Sequence, residues 1–259
     1  MLPRVTGSTE DVRGFAALSA LPLPPGRLVH GDEGDDDQPA LWVSEGPATL
    51  ELWSTLRQAH RRTGLWPLLL DSLPGESRRP WDDGELSPKA MSNPADFDPD
   101  DLLAEWWSYY AAADGPEWPG LAEAVPVERD PGAHADHCAL LLLADKPGLR
   151  LGLVATDRPS DAIAVAGWQG AVNYTNDTAE LSAVLRSWKR RFGAYVVGVG
   201  FDELHLSVTA PPIGPEQAVA VAAEHFAFCP DNIAQGGPSD LADYGARLMG
   251  APLWSFWWD

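Results

Sequence analysis

Apolar and polar positions alternate with two distinct periods along this chain, and each period marks an element. Leu50, Trp53 and Leu56, followed by Arg57, fall at helical spacing, and Gly64 stops that helix. Residues 65–70 form an unbroken apolar run of strand length with Pro67 near its start, which reads as a buried strand. A short strand is predicted over residues 40–43. Asp98 caps a further helix, Pro99 takes its first position, and Asp100 and Asp101 meet the positive end of the dipole. Leu102, Leu103, Trp106, Trp107 and Tyr110 follow as its apolar positions.

The second half predicts apolar strands over residues 139–143 and 149–155 on either side of a turn at 145–148, then a strand over 161–167. A helix follows from Thr178 to Phe192. Asp177 and Glu180 have capping-box spacing, Leu181, Val184, Leu185, Trp188 and Phe192 form its stripe, and Gly193 ends it. Residues 194–200 and 204–208 read as a hairpin. In its second strand Leu204, Leu206 and Val208 alternate with Glu203, His205 and Ser207. Helices are expected from Pro215 to about 226 and from Ser239 to about 249. The tail Trp254-Ser-Phe-Trp-Trp-Asp259 reads as a terminal strand tucked into the core, because four aromatics in six residues would otherwise invite aggregation.

Composition narrows the function classes. The 259 residues hold 38 acidic and 18 basic side chains, a net charge of −20, which argues against nucleic-acid binding through a basic surface. Residues 1–130 carry 24 acids and 10 bases against 14 and 8 in 131–259, so an acidic N-terminal lobe and a C-terminal α/β domain are expected on either side of that point. Five acids in residues 31–37 read as a solvated loop, and the Pro-, Gly- and Ser-rich stretch 73–99 as an irregular exposed excursion or a flexible link. Two cysteines are too few for a disulfide scaffold. The acidic leader lacks signal-peptide character and no apolar run approaches a membrane span, so a cytoplasmic protein without membrane association is expected.

No complete catalytic signature is present. Gly198-Val-Gly200 lacks the third glycine and the helix of a dinucleotide fingerprint. Asp96, Asp98 and Asp100 imitate a calcium loop, but Asp101 and Trp107 occupy its Gly and Glu positions. His134, His137 and Cys138 are short of a four-ligand zinc site and read as a surface turn before a strand, so no metal or cofactor is expected. His225, Cys229 and Asp231 lie within seven residues, and Glu203 neighbours His205 on the polar face of a strand. These five are the catalytic candidates. Trp168 and Asn173, in a loop, are the binding candidates.

Several segments occur in order: Trp168-Gln-Gly-Ala-Val-Asn173, Leu185-Arg-Ser-Trp-Lys-Arg-Arg-Phe-Gly-Ala194, Glu203-Leu-His-Leu-Ser-Val208, Ala222-Ala-Glu-His-Phe-Ala-Phe-Cys-Pro-Asp231 and the aromatic tail. Over residues 157–259 this pattern resembles the bacterial family catalogued as domain of unknown function 4253. The resemblance implies no assigned chemistry. Related sequences often carry Cys-Pro where this chain has Asn173-Tyr174, so any reaction needing that cysteine is absent here.

Together these features describe an α+β protein with a mixed or antiparallel sheet flanked by helices, one globular body of two lobes. The favoured function is a non-enzymatic interaction module, of neutralising or adaptor type, whose acidic surface takes a basic protein partner. The alternative is a hydrolase-like or other enzyme working from a cleft around Glu203, His205, His225, Cys229 and Asp231. The oligomeric state is not legible.

Overall fold

The computed structural model describes residues 13–32, 38–111 and 116–259. The leader up to residue 11 and most of the acidic run at 31–37 lie outside the described residues. Seven strands form one mixed sheet: β1 (Gly26–Val29), β2 (Leu41–Pro47), β3 (Leu65–Leu70), β4 (Arg150–Ala155), β5 (Ala194–Val199), β6 (Glu203–Val208) and β7 (Leu253–Trp257). Their order is β1-β2-β4-β3-β5-β6-β7. Only β3 and β5 run parallel; every other neighbouring pair is antiparallel. Strand β4, from beyond residue 130, sits between β2 and β3, so the sheet runs unbroken across the point where the charge balance changes.

Helices cover both faces, which is why β3 is buried at every position. On one side α1 (Leu50–Thr63) and α3 (Pro131–Asp145) pack Trp53, Leu56, Cys138 and Leu142 against Trp42, Leu65, Leu69, Leu151 and Leu153. The other side receives α2 (Pro99–Tyr110), the one-turn α4 (Ala162–Ala166), α5 (Thr178–Phe192), α6 (Pro215–Phe228) and α8 (Leu241–Leu248), over Leu41, Trp66, Leu68, Val196 and Leu206. The short α7 (Asp231–Ala234) connects α6 to the tail. Period-two alternation in the strands separates the two cores: Leu41 and Val43 belong to one and Trp42 to the other.

Two strands expected from the sequence are helices. Residues 139–143 lie inside α3, where Asp130 caps the first turn and Pro131 follows it. The run Leu140–Leu143 hides a helical stripe, since Ala135, Cys138, Ala139 and Leu142 are buried while Leu140 and Leu141 are exposed. The 145–148 turn therefore joins a helix to a strand. Residues 161–167 form α4, entered through a 3-10 turn at Pro159–Asp161 and closed by Gly167 at φ +67°. A side chain at Gly167 would also collide with the backbone of Pro88. The stretch 73–99 is irregular yet pinned. Trp81 and Leu86 are buried in the core, and Asp82 accepts hydrogen bonds from Arg27 and Arg150.

The tail is the edge strand β7, paired antiparallel to β6 with His205 opposite Ser255. Its Trp254, Phe256 and Trp258 turn into the core, while Ser255 faces out. Trp188 of α5 stacks on Phe256 with ring centroids 5.4 Å apart, and Phe228 of α6 lies 4.9 Å from the same ring. Beneath them Glu224, 0% exposed, accepts from both Nη atoms of Arg191 at 2.7 and 2.6 Å, from Trp188 Nε1 at 2.7 Å and from Ala122 N at 2.7 Å. That carboxylate ties α5, α6 and the segment around Ala122 together with all its partners supplied.

Trp254→Ala is expected to cost about 3–5 kcal/mol, the range for truncating a buried aromatic. Deleting residues 254–259 is expected to abolish cooperative unfolding, read by urea titration with tryptophan fluorescence. An unchanged melting temperature and emission in the truncated chain would refute the interior placement of β7.

Candidate functional site

The one parallel pair, β3 and β5, directs its two C-terminal ends to the same edge of the sheet, the place where open α/β sheets gather ligand-binding groups. Asp71 follows β3 directly, and its backbone N–H donates to Val199 O at 3.0 Å. Glu203 opens β6 directly after the hairpin bend at Phe201 and Asp202. Lys146, just past the end of α3, reaches both carboxylates: its Nζ lies 2.8 Å from Asp71 Oδ2 and 2.6 Å from Glu203 Oε2.

Glu203 also stands 3.4 Å from His205 Nε2, and His205 Nδ1 lies 2.9 Å from Ser255 Oγ. Strand pleating puts Glu203 and His205 on one face, and the β6–β7 register brings Ser255 opposite the imidazole. The result is a hydroxyl–imidazole–carboxylate–ammonium chain. It borders an open cleft of about 350 Å³ lined also by Asn232, Tyr244 and Arg247. The hydrogen bond with His205 holds the Glu203 carboxyl down at about 2, against the opposing effect of burial and with help from Lys146. Burial pulls the Lys146 ammonium down, but hydrogen bonds to Asp71 and Glu203 outweigh it and keep it above its ordinary range.

The other candidates are not part of this chain. His225 is fully buried, with ring centroids 4.5 Å from Trp254 and 4.8 Å from Phe256. Its Nδ1 meets Tyr244 Oη at 3.1 Å, its Nε2 has no hydrogen-bond partner, and burial pushes it down to about 3, so it is neutral. Cys229 is buried as well. Its Sγ donates to Trp257 O at 2.9 Å, and burial pushes the thiol up to about 12, far from a reactive thiolate. Asp231 accepts from Asp259 N at 3.1 Å and from Gln235 Nε2 at 2.9 Å, holding the chain end. Asn232 joins these groups: Nδ2 donates to Tyr244 Oη at 3.0 Å and Ser255 O at 2.7 Å, and Oδ1 accepts from Trp257 N at 3.1 Å.

Trp168 is 1% exposed and donates from Nε1 to Gly200 O at 2.9 Å, and Asn173 donates from Nδ2 to Asp259 O at 3.0 Å. Both hold the fold together. His134 and Cys138 lie on α3 rather than in a turn, each within hydrogen-bond reach of Pro252 O, at 3.3 and 3.2 Å. Sequence reasoning missed Ser255, Lys146 and Asp71. Ser255 had a local signal, the lone polar position between Trp254 and Phe256. Lys146 and Asp71 had none, because they meet Glu203 only through the sheet order.

Two acid-side titrations follow. An imidazole that stays neutral down to about 3 in the fold, against its ordinary value of 6.5, leaves the unfolded chain binding more protons between those values. The stability that His225 contributes is therefore complete above pH 6.5 and is lost as pH falls toward 3. Glu203, lowered from 4.5 to about 2, adds a further loss only below pH 4.5. Urea titrations across this range should show the upper decline flattened in His225→Phe, with the loss below pH 4.5 retained. An identical profile in the variant would contradict the buried neutral imidazole.

Residues 150–259 match the model of a family described as Domain of unknown function (DUF4253). That interval contains β4 to β7, α4 to α8 and the Glu203–His205–Ser255 contact, but neither Lys146 nor Asp71. No curated protein and no solved structure matches the chain.

Proposed function

We propose that this chain is a non-enzymatic interaction module that offers an acidic, aromatic helix face to a basic protein segment. The observation that carries the reading is α2. Asp101, Glu105 and Tyr109 stand exposed at i, i+4 and i+8, and Tyr109 is 79% exposed. Residues 90–128, which include this helix, contain nine acids and no Lys, Arg or His. The stripe thus carries negative charge beside a large ring, with no ion pair to Asp101 or Glu105 among the described residues, a combination that steers a cationic partner and gives it a surface for cation–π contact. The internal face of the same helix packs Leu102, Leu103 and Trp107 into the core, so the outer face is presented rigidly. The burial of His225 and Cys229 removes two of the groups on which catalysis around α6 would depend.

Pull-down from native lysate with the full chain is expected to retain a basic partner at about 0.15 M salt and to release it near 1 M, where the Debye length falls from about 8 to about 3 Å. The triple variant Asp101→Lys, Glu105→Lys, Tyr109→Ala should weaken that complex by at least about tenfold, equivalent to about 1.4 kcal/mol. No stoichiometric partner at low salt, or a partner held equally by the variant, would overturn the assignment.

A second reading rests on the 2.9 Å contact between Ser255 Oγ and His205 Nδ1, with Glu203 on the other ring nitrogen. A hydroxyl nucleophile, a base and a group that orients the base are the parts of a serine hydrolase, with the two imidazole nitrogens exchanged relative to the usual arrangement. In this reading Ser255→Ala abolishes hydrolysis of activated esters and changes stability by less than about 0.5 kcal/mol, as expected at an exposed position. Equal turnover by wild type and Ser255→Ala would eliminate it.

A further inference from the structure

A second cleft, of about 580 Å³, lies between the segment leading into α2 and the last turns of α5. Its lining runs against the character of the whole molecule. In a chain of net charge −20, Arg158, Arg186, Lys189 and Arg190 converge here, and no acidic residue lines the cleft. Arg186 is neutralised by Asp161, Nε to Oδ1 at 2.6 Å and Nη2 to Oδ2 at 2.7 Å. Arg158, Lys189 and Arg190 form no ion pair among the described residues. Lys189 and Arg190 complement the negative end of the α5 dipole, which accounts for those two. It does not account for Arg158, which arrives from a different element, the turn after β4.

A second observation points to the same place. Ser160 lines this cleft, is 1% exposed, and its hydroxyl has no hydrogen-bond partner. A buried hydroxyl left unpaired is a cost that native structures seldom carry without a reason. The opposite wall is apolar, formed by Pro94, Phe97, Pro99 and Ala183. The volume lies within the range of small-molecule sites, and guanidinium forks match the oxygens of a phosphoryl group.

We propose that this cleft binds a small phosphomonoester, its phosphoryl group held by Arg158, Lys189 and Arg190 and its apolar or aromatic body against Phe97 and the prolines. The site is separate from both the α2 stripe and the Ser255 cleft, so it stands or falls independently of the function proposed above.

Titration calorimetry of the full chain with phenyl phosphate, inorganic phosphate and benzoate tests the assignment. Phenyl phosphate should bind with a dissociation constant below about 1 mM and tighter than either of the others, because inorganic phosphate lacks the ring and benzoate offers the cations a single-charged carboxylate in place of a phosphoryl group. Arg158→Gln with Arg190→Gln should weaken it by about tenfold or more while lowering the ligand-free melting temperature by no more than about 4 °C, since both side chains are exposed and only Arg190 sits at the α5 dipole. Arg61→Gln, an exposed position on α1, should leave affinity unaltered. No heat with phenyl phosphate at millimolar concentration, equal affinity for phenyl and inorganic phosphate, or undiminished binding in the double variant would each refute the site.

Discussion

The aromatic joint between α5, α6 and β7 is the contact on which the C-terminal half depends. Trp188 packs face to face on Phe256 with an interplanar angle of 14° and edge-on to Trp254 at 85°. Phe228 and Trp258 close the cluster from α6 and the chain end. Aromatic side chains of this kind bury about 150–250 Å² each, so the last residues of the chain hold one of its largest concentrations of buried apolar surface. An edge strand that contributes this much cannot slip by one residue without exposing Trp254 and Phe256 and burying Ser255. The β6–β7 register, and with it the Ser255–His205 contact, is set by that cost.

Two neighbours on α6 show opposite ways of burying a polar group beneath this joint. Glu224 meets charged and N–H partners, since Arg191, Trp188 Nε1 and Ala122 N satisfy both oxygens. His225 has one hydroxyl partner and a wall of rings, so desolvation removes its charge instead. The same pressure holds the Cys229 thiol protonated. His225 and Cys229, catalytic candidates in one dimension, are both buried in three.

Two surface regions each concentrate charge of one sign. The α2 stripe is acidic, whereas cations from two elements meet at the cleft beside Ser160. Lys146 occupies a third setting, where it bridges Asp71 and Glu203 and steadies the carboxylate next to His205.

Residues whose partners are near in sequence were legible from the chain alone. Asp98 and Asp177 cap their helices, Gly64 and Gly193 end theirs in the left-handed conformation, and β3, α5 and the hairpin β5–β6 follow from local period and caps. The aromatic tail declared its burial through composition. Where apolar residues also occupy the outer face, Leu140 and Leu141 on α3 and Val165 on α4, the contrast between faces is lost, and both helices resembled strands. The Glu203–His205 pairing came from a two-residue spacing within one strand. Ser255, Lys146, Asp71 and the cleft at Ser160 came only with the sheet order and helix packing, because a contact between residues 50 or more positions apart leaves no local periodicity to read.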